Sequence, residues 1–143
     1  MPTAPHLSAP RVADVAEALD FEILHRGDIE TARVETLLVA ARSPEKLIGH
    51  LRPGTLVVTP ADRADAILAT ALVAQRGMPL AGFVFTCGGR PAPEIEALLR
   101  SVPLDRLPVL GTADDTFTTA TRLANLSHHV GRSDLERMER VIA

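Results

Sequence analysis

Two short, unbroken apolar runs constrain this chain most: Thr55-Leu56-Val57-Val58-Thr59 and Leu80 to Thr86. Both are rich in β-branched or aromatic residues and lack the polar alternation of a half-solvated strand. Such runs belong to strands covered on both faces, the usual condition of a parallel sheet. Arg52-Pro53-Gly54 precedes the first run and Pro60 follows it, while Gly88-Gly89 follows the second. Neither approaches the roughly 20 apolar residues of a membrane-spanning helix. Between them, Asp62 is positioned to cap a helix running to about Arg76, with Ile67, Ala71 and Ala74 on one face, Leu68 and Leu72 beside them, and Gly77 as the stop.

The alternation continues along the chain. Residues 1–10, with prolines at 2, 5 and 10, read as an extended leader. Val12, Val15, Ala16 and Leu19 then share a helical face, and Phe21 with Ile23 suggests a strand ending near His25. After a turn at Gly27-Asp28, Val34 to Ala41 reads as a strand buried on both faces. Ser43-Pro44 starts a short helix whose buried side is Leu47, Ile48 and Leu51. Glu94 to Val102 forms a helix, Leu107 to Leu110 a strand and Thr116 to Leu126 a helix, and Ser133 caps a last helix on Leu135, Met138 and Ile142. The expected fold is α/β, a three-layer α/β/α sandwich with a mainly parallel central sheet. At 143 residues and 46% hydrophobic, one such domain fits, here spanning residues 11–143 after the leader.

Charge and composition narrow the partners. Eighteen acidic against fifteen basic residues leave a net charge of -3, which argues against a nucleic-acid backbone or an anionic membrane as partner. Four phenylalanines, Phe21, Phe83, Phe85 and Phe117, with no Trp or Tyr, disfavour a base-stacking platform. Cys87 is the single cysteine, so no internal disulfide forms, and no signal-peptide pattern opens the chain. A cytoplasmic protein is expected. His6, His25, His50, His128 and His129 make no metal-ligand spacing with Cys87, so no metal and no cofactor is expected, and the adjacent pair reads as a polar turn.

In a parallel sheet, strand ends that precede helices gather on one edge, where ligands bind. That edge should collect Thr59, Asp62 and Arg63; Thr86, Gly88, Gly89 and Arg90; and Asp114, Asp115 and Thr116. Gly88-Gly89 would let backbone approach an anion or nucleotide, or simply make a tight turn, since neither a G-x-x-x-x-G-K-[ST] nor a G-x-G-x-x-G pattern is present. Arg63 at a helix start opposes the dipole unless it meets Asp114, Asp115 or an anionic ligand. Asp114-Asp115 reads as a cap with a favourable dipole charge rather than an acid–base pair, and Cys87 has no histidine placed beside it by the sequence. No catalytic residue is assigned.

Thr55 to Arg63, with Pro60-Ala61-Asp62-Arg63 at its end, and Leu80 to Gly89, with Thr86-Cys87-Gly88-Gly89 at its end, resemble the DRTGG domain. Leu107-Pro108-Val109-Leu110 and the run Asp115-Thr116-Phe117-Thr118-Thr119-Ala120 to Asn125 look like the later strand and helix of that domain in the middle region of long bacterial phosphate acetyltransferases. Leu7-Ser8-Ala9-Pro10 looks like the start of that region, so the resemblance covers nearly the whole chain. The family's signature maps to Asp62, Arg63, Thr86, Gly88 and Gly89. Ala61 stands where the family usually has glycine, and Cys87 is an added residue between Thr86 and Gly88. The resemblance implies an α/β/α fold shared with the N-terminal domain of HPr kinase/phosphorylase and a regulatory or assembly role. The acetyl-transfer site of such enzymes, which handles acetyl-CoA and phosphate, lies in a separate domain. The chain is therefore expected to be a non-catalytic, ligand-sensing or assembly module whose partner is that catalytic domain or a second copy. Its candidate binding set is Thr59, Asp62, Arg63, Thr86, Gly88, Gly89, Asp115 and Thr116, for a small anionic metabolite or nucleotide. The alternative is a free-standing DRTGG protein acting as a structural oligomerisation or small-metabolite-binding module; an independent small enzyme ranks last, for want of a nucleophile–base pair.

Overall fold

A computed structural model describes residues 9–41 and 43–126. In chain order these form α1 (Val12–Leu19), β1 (Glu22–His25), β2 (Thr36–Val39), α2 (Pro44–His50), β3 (Thr55–Pro60), α3 (Ala64–Gln75), β4 (Gly82–Thr86), α4 (Pro93–Leu99), a 3₁₀ turn (Leu104–Arg106) and β5 (Val109–Gly111). A final helix, α5, covers residues 116–126. The expected helix after Ser133, the His128-His129 turn and most of the leader lie outside the described residues. Among the described residues, no helix is long and apolar enough to cross a membrane.

The sheet order is β1-β5-β4-β3-β2. β2, β3, β4 and β5 run parallel, in register from Thr36 opposite Thr55 to Phe85 opposite Gly111, and only β1 is antiparallel, against β5. The alternating geometry of a strand sorts its side chains between two cores. Val57, Phe83, Phe85 and Val109 face one core with Leu47 and Leu51, Ala66 and Ile67 of α3, and Leu99 of α4. Leu56, Val58, Val84 and Leu110 face the other with Val12, Val15 and Ala16 of α1 and Leu123 of α5. The three-layer, mainly parallel sandwich is therefore present. β3 and β4 are interior strands and carry the longest buried stretches.

Three local expectations are corrected. β2 is an edge strand, with β3 on one side and no strand on the other among the described residues, and only its central leucines are half-buried; an apolar run does not reveal on how many sides a strand is paired. Ile48 is exposed rather than part of the buried side of α2, because Leu47 and Leu51 already fill the contact with the sheet. Asp62 does not cap α3. The Arg63 N–H bonds back to the Pro60 carbonyl at 3.2 Å, so a turn uses Asp62 and the helix begins one residue later with Arg63 at its N-cap.

Candidate ligand cleft at the β4–β5 divergence

The three helices that follow β2, β3 and β4 lie against one face of the sheet, whereas α5, which follows β5, lies against the other. The chain leaving β4 and the chain leaving β5 therefore part in opposite directions. That is the topological switch point at which open α/β sheets form a crevice. A cleft of about 510 Å³ sits there, walled on one side by Gly88, Gly89 and Arg90 and on the other by Asp20, Glu22 and Leu24, with Gly111 and Thr112 between them. A second cleft, of about 500 Å³, opens at the opposite end of the parallel strands between Gly54, Met78, Leu80 and Leu107, and no signature residue lines it.

The turn after β4 is built by Cys87 and Gly88, both left-handed at φ +66° and +72°. Their N–H groups donate inward, Cys87 to the Asp114 carbonyl at 2.8 Å and Gly88 to the Thr112 carbonyl at 2.9 Å. The glycine turn thus stitches the two diverging loops together, and these two donors are already engaged. Beneath it, the Thr86 hydroxyl, wholly buried, bonds the Thr116 hydroxyl at 2.7 Å and ties the end of β4 to the first turn of α5. Asp115 caps that helix by accepting the Thr118 N–H at 2.6 Å. This backbone bond, with the Thr118 hydroxyl second, holds the Asp115 carboxyl below the ordinary carboxylate range.

Charge lines the cleft as two ion pairs and one carboxylate, Asp20, that forms no ion pair among the described residues. Arg90 reaches Glu22 at 3.0 Å, and Arg122 reaches Asp114 at 2.7 Å while donating to the Leu19 carbonyl and lying 5.8 Å over the Phe21 ring. Glu22 and Arg122 were not among the candidate residues. The signal for Glu22 is spatial, since β1 is distant in sequence and arrives only by pairing with β5, whereas Arg122 lies on α5 in the same run as Asp115 and Thr116.

The other half of the predicted set lies beside β3. Thr59 is buried and donates its hydroxyl to the Pro60 carbonyl at 3.1 Å. Arg63 does not meet Asp114 or Asp115. Its guanidinium forks onto Asp65 at 2.9 and 3.1 Å and donates to the Ala40 carbonyl at 2.7 Å, fastening the end of β2 to the start of α3. This contact lowers the Asp65 carboxyl and raises the Arg63 guanidinium from their ordinary ranges. Asp62 is exposed. The two halves meet through Ala61, whose buried methyl lies 3.6 Å from where a side chain on Gly89 would begin. Ala61 thus fits in ordinary contact, and the added Cys87 is accommodated by its left-handed backbone.

The model of the DRTGG domain matches residues 14–126, which contain every one of these loops. The chain belongs to the DRTGG domain family. Among curated proteins, this DRTGG domain is 41% identical over 138 residues to a phosphate acetyltransferase of Deinococcus radiodurans, covering 96% of this chain and 20% of the relative. It is 40% identical over 139 residues to that of Pseudomonas putida, covering 97% and 20%, and 34% identical over 135 residues to that of Escherichia coli, covering 94% and 19%. The chain thus spans about a fifth of the length of the relatives it matches. Among solved structures, the CBS and DRTGG domains of the regulatory region of Clostridium perfringens pyrophosphatase, complexed with the activator diadenosine tetraphosphate, share the fold. The TM-score is 0.63 at 21% identity, over 81% of this chain and 46% of that one.

Proposed function

We propose that this domain is a non-catalytic regulatory module of a cytoplasmic phosphate acetyltransferase, the enzyme that interconverts acetyl-CoA plus phosphate with acetyl phosphate plus CoA. Its regulatory ligand is a small anionic metabolite or nucleotide taken up in the β4–β5 cleft. One observation carries the reading: the family's own Gly88 and Gly89 form a wall of the cleft that the topology opens at the switch point. Two others support it. The matched relatives are phosphate acetyltransferases of which this segment is a fifth, and the same fold in the pyrophosphatase belongs to a regulatory region complexed with a nucleotide activator. A ligand regulates only through unequal affinity for two states of the module. The loop-to-loop bonds from Cys87 and Gly88 are the contacts that a ligand between the walls would open or tighten.

The test is the melting temperature of the chain with diadenosine tetraphosphate, ATP and inorganic phosphate, each at about 1 mM, for the parent and for Arg90→Ala. A rise of a few degrees with at least one probe, reduced in Arg90→Ala, is expected. No shift with any probe, or a shift indifferent to Arg90→Ala, would sink the ligand assignment. Immunoblotting of source-cell extract for the native polypeptide tests the parent: a product of about the mass of this chain alone would replace the transferase-module reading with that of a free-standing module.

A further inference from the structure

We infer that the outward face of α3 binds a second copy of this chain, as an antiparallel helix pair across a two-fold axis. α3 is apolar around nearly its whole circumference. Its sheet side buries Ala66, Ile67, Ala69, Thr70 and Ala71, yet Leu68 and Leu72 on the far side are 43% and 49% exposed. A helix that is hydrophobic all round is ordinarily covered all round. At 100° per residue, Asp65, Leu68, Leu72 and Arg76 fall in one stripe about 80° wide. The apolar centre of that stripe is flanked by an acid at the amino end and a base at the carboxyl end.

This distribution selects the occupant. Leu68 and Leu72 lie symmetrically about Thr70, with Asp65 and Arg76 nearly equidistant beyond them. Turning a copy of the stripe end for end brings Leu68 against the partner's Leu72, and Arg76 against the partner's Asp65. Both apolar rows and both charges are matched, twice over, as an isologous interface requires. A partner of uniformly acidic or basic character would match one end and clash with the other. The Arg76 guanidinium makes no ion pair within the chain among the described residues, whereas Asp65 already holds Arg63 with both its oxygens and offers their remaining lone pairs.

Sedimentation velocity of the 143-residue chain, from about 1 to about 200 μM, tests this. A concentration-dependent dimer is expected. Leu72→Lys should raise its Kd at least about tenfold. Arg76→Glu should weaken it at low salt, by a factor that shrinks at high salt. Ile23→Lys, on the exposed edge of β1, should leave it unchanged. Mixing Leu68→Cys with Leu72→Cys chains, each in a Cys87→Ser background, should give the mixed disulfide in preference to either like pair. A monomer throughout, a dimer indifferent to Leu72→Lys, or preferential like pairing would overturn the inference. It stands apart from the ligand assignment, because Arg90→Ala leaves the α3 face intact.

Discussion

The turns that end β3 and β4 lie side by side on one edge of the sheet, contribute the two halves of one signature, and are held by opposite kinds of chemistry. At the end of β3, Arg63 works by charge at a half-exposed position, gripping Asp65 beside it and the Ala40 carbonyl across the sheet. At the end of β4, Thr86 works by neutral hydrogen bonding with no exposure at all, and the backbone of Cys87 and Gly88 does the rest. Solvent and salt weaken the first kind of contact and hardly reach the second. The more conspicuous charged residues are therefore the softer anchor, and the threonine is the firmer one.

Substitutions can break this contrast, and the largest effect belongs to the buried turn. Thr86→Val keeps the shape but removes the buried partner of the Thr116 hydroxyl; chemical denaturation should show a loss of roughly 1 kcal/mol, independent of salt. An effect that fades in 1 M salt would contradict the contrast. Cys87→Gly relieves a left-handed residue and should raise stability by up to about 1 kcal/mol, offset in part by the freer unfolded chain; a loss instead would mean that the thiol makes a contact worth more than the relief. Arg63→Gln should lower the melting temperature by less than Thr86→Val does, and the deficit should shrink as salt rises.

The smallest effect at neutral pH should come from Asp115→Asn, since asparagine also caps helices. Its signature is in acid. The folded Asp115 carboxyl is depressed, so its contribution is present above the unfolded value of about 3.9 and is lost as pH falls through the lower folded value. The parent should therefore lose melting temperature over that window more steeply than Asp115→Asn, and parallel profiles would remove Asp115 from the account.

β3 and β4 were legible because a run such as Leu56-Val57-Val58 is apolar for both faces at once, which only a central strand needs. β2 was misread for the same reason: Thr36-Leu37-Leu38-Val39 spells the same composition, and the number of hydrogen-bonded neighbours leaves no mark on side chains. Asp115 as a cap was legible because capping is local. Arg63 was not, because its partners include a residue two positions on and a backbone carbonyl, and carbonyls are carried by every residue alike. Thr86 and Thr116 were each singled out, but their contact depends on α5 crossing to the opposite face from α4, which is a property of the whole chain path.

The place of β1 bears on how the domain is made. Among the described residues the first strand pairs with the last, Glu22 opposite Gly111 and Ile23 opposite Leu110. A ribosome delivering about 5–20 residues per second releases β1 seconds before its mate exists. Until then β2, β3 and β4 can zip in order, each to the strand just finished, while β1 waits without its partner strand. Closure of the sheet, and with it the Glu22–Arg90 ion pair between the walls of the cleft, is a late event in the life of the nascent chain.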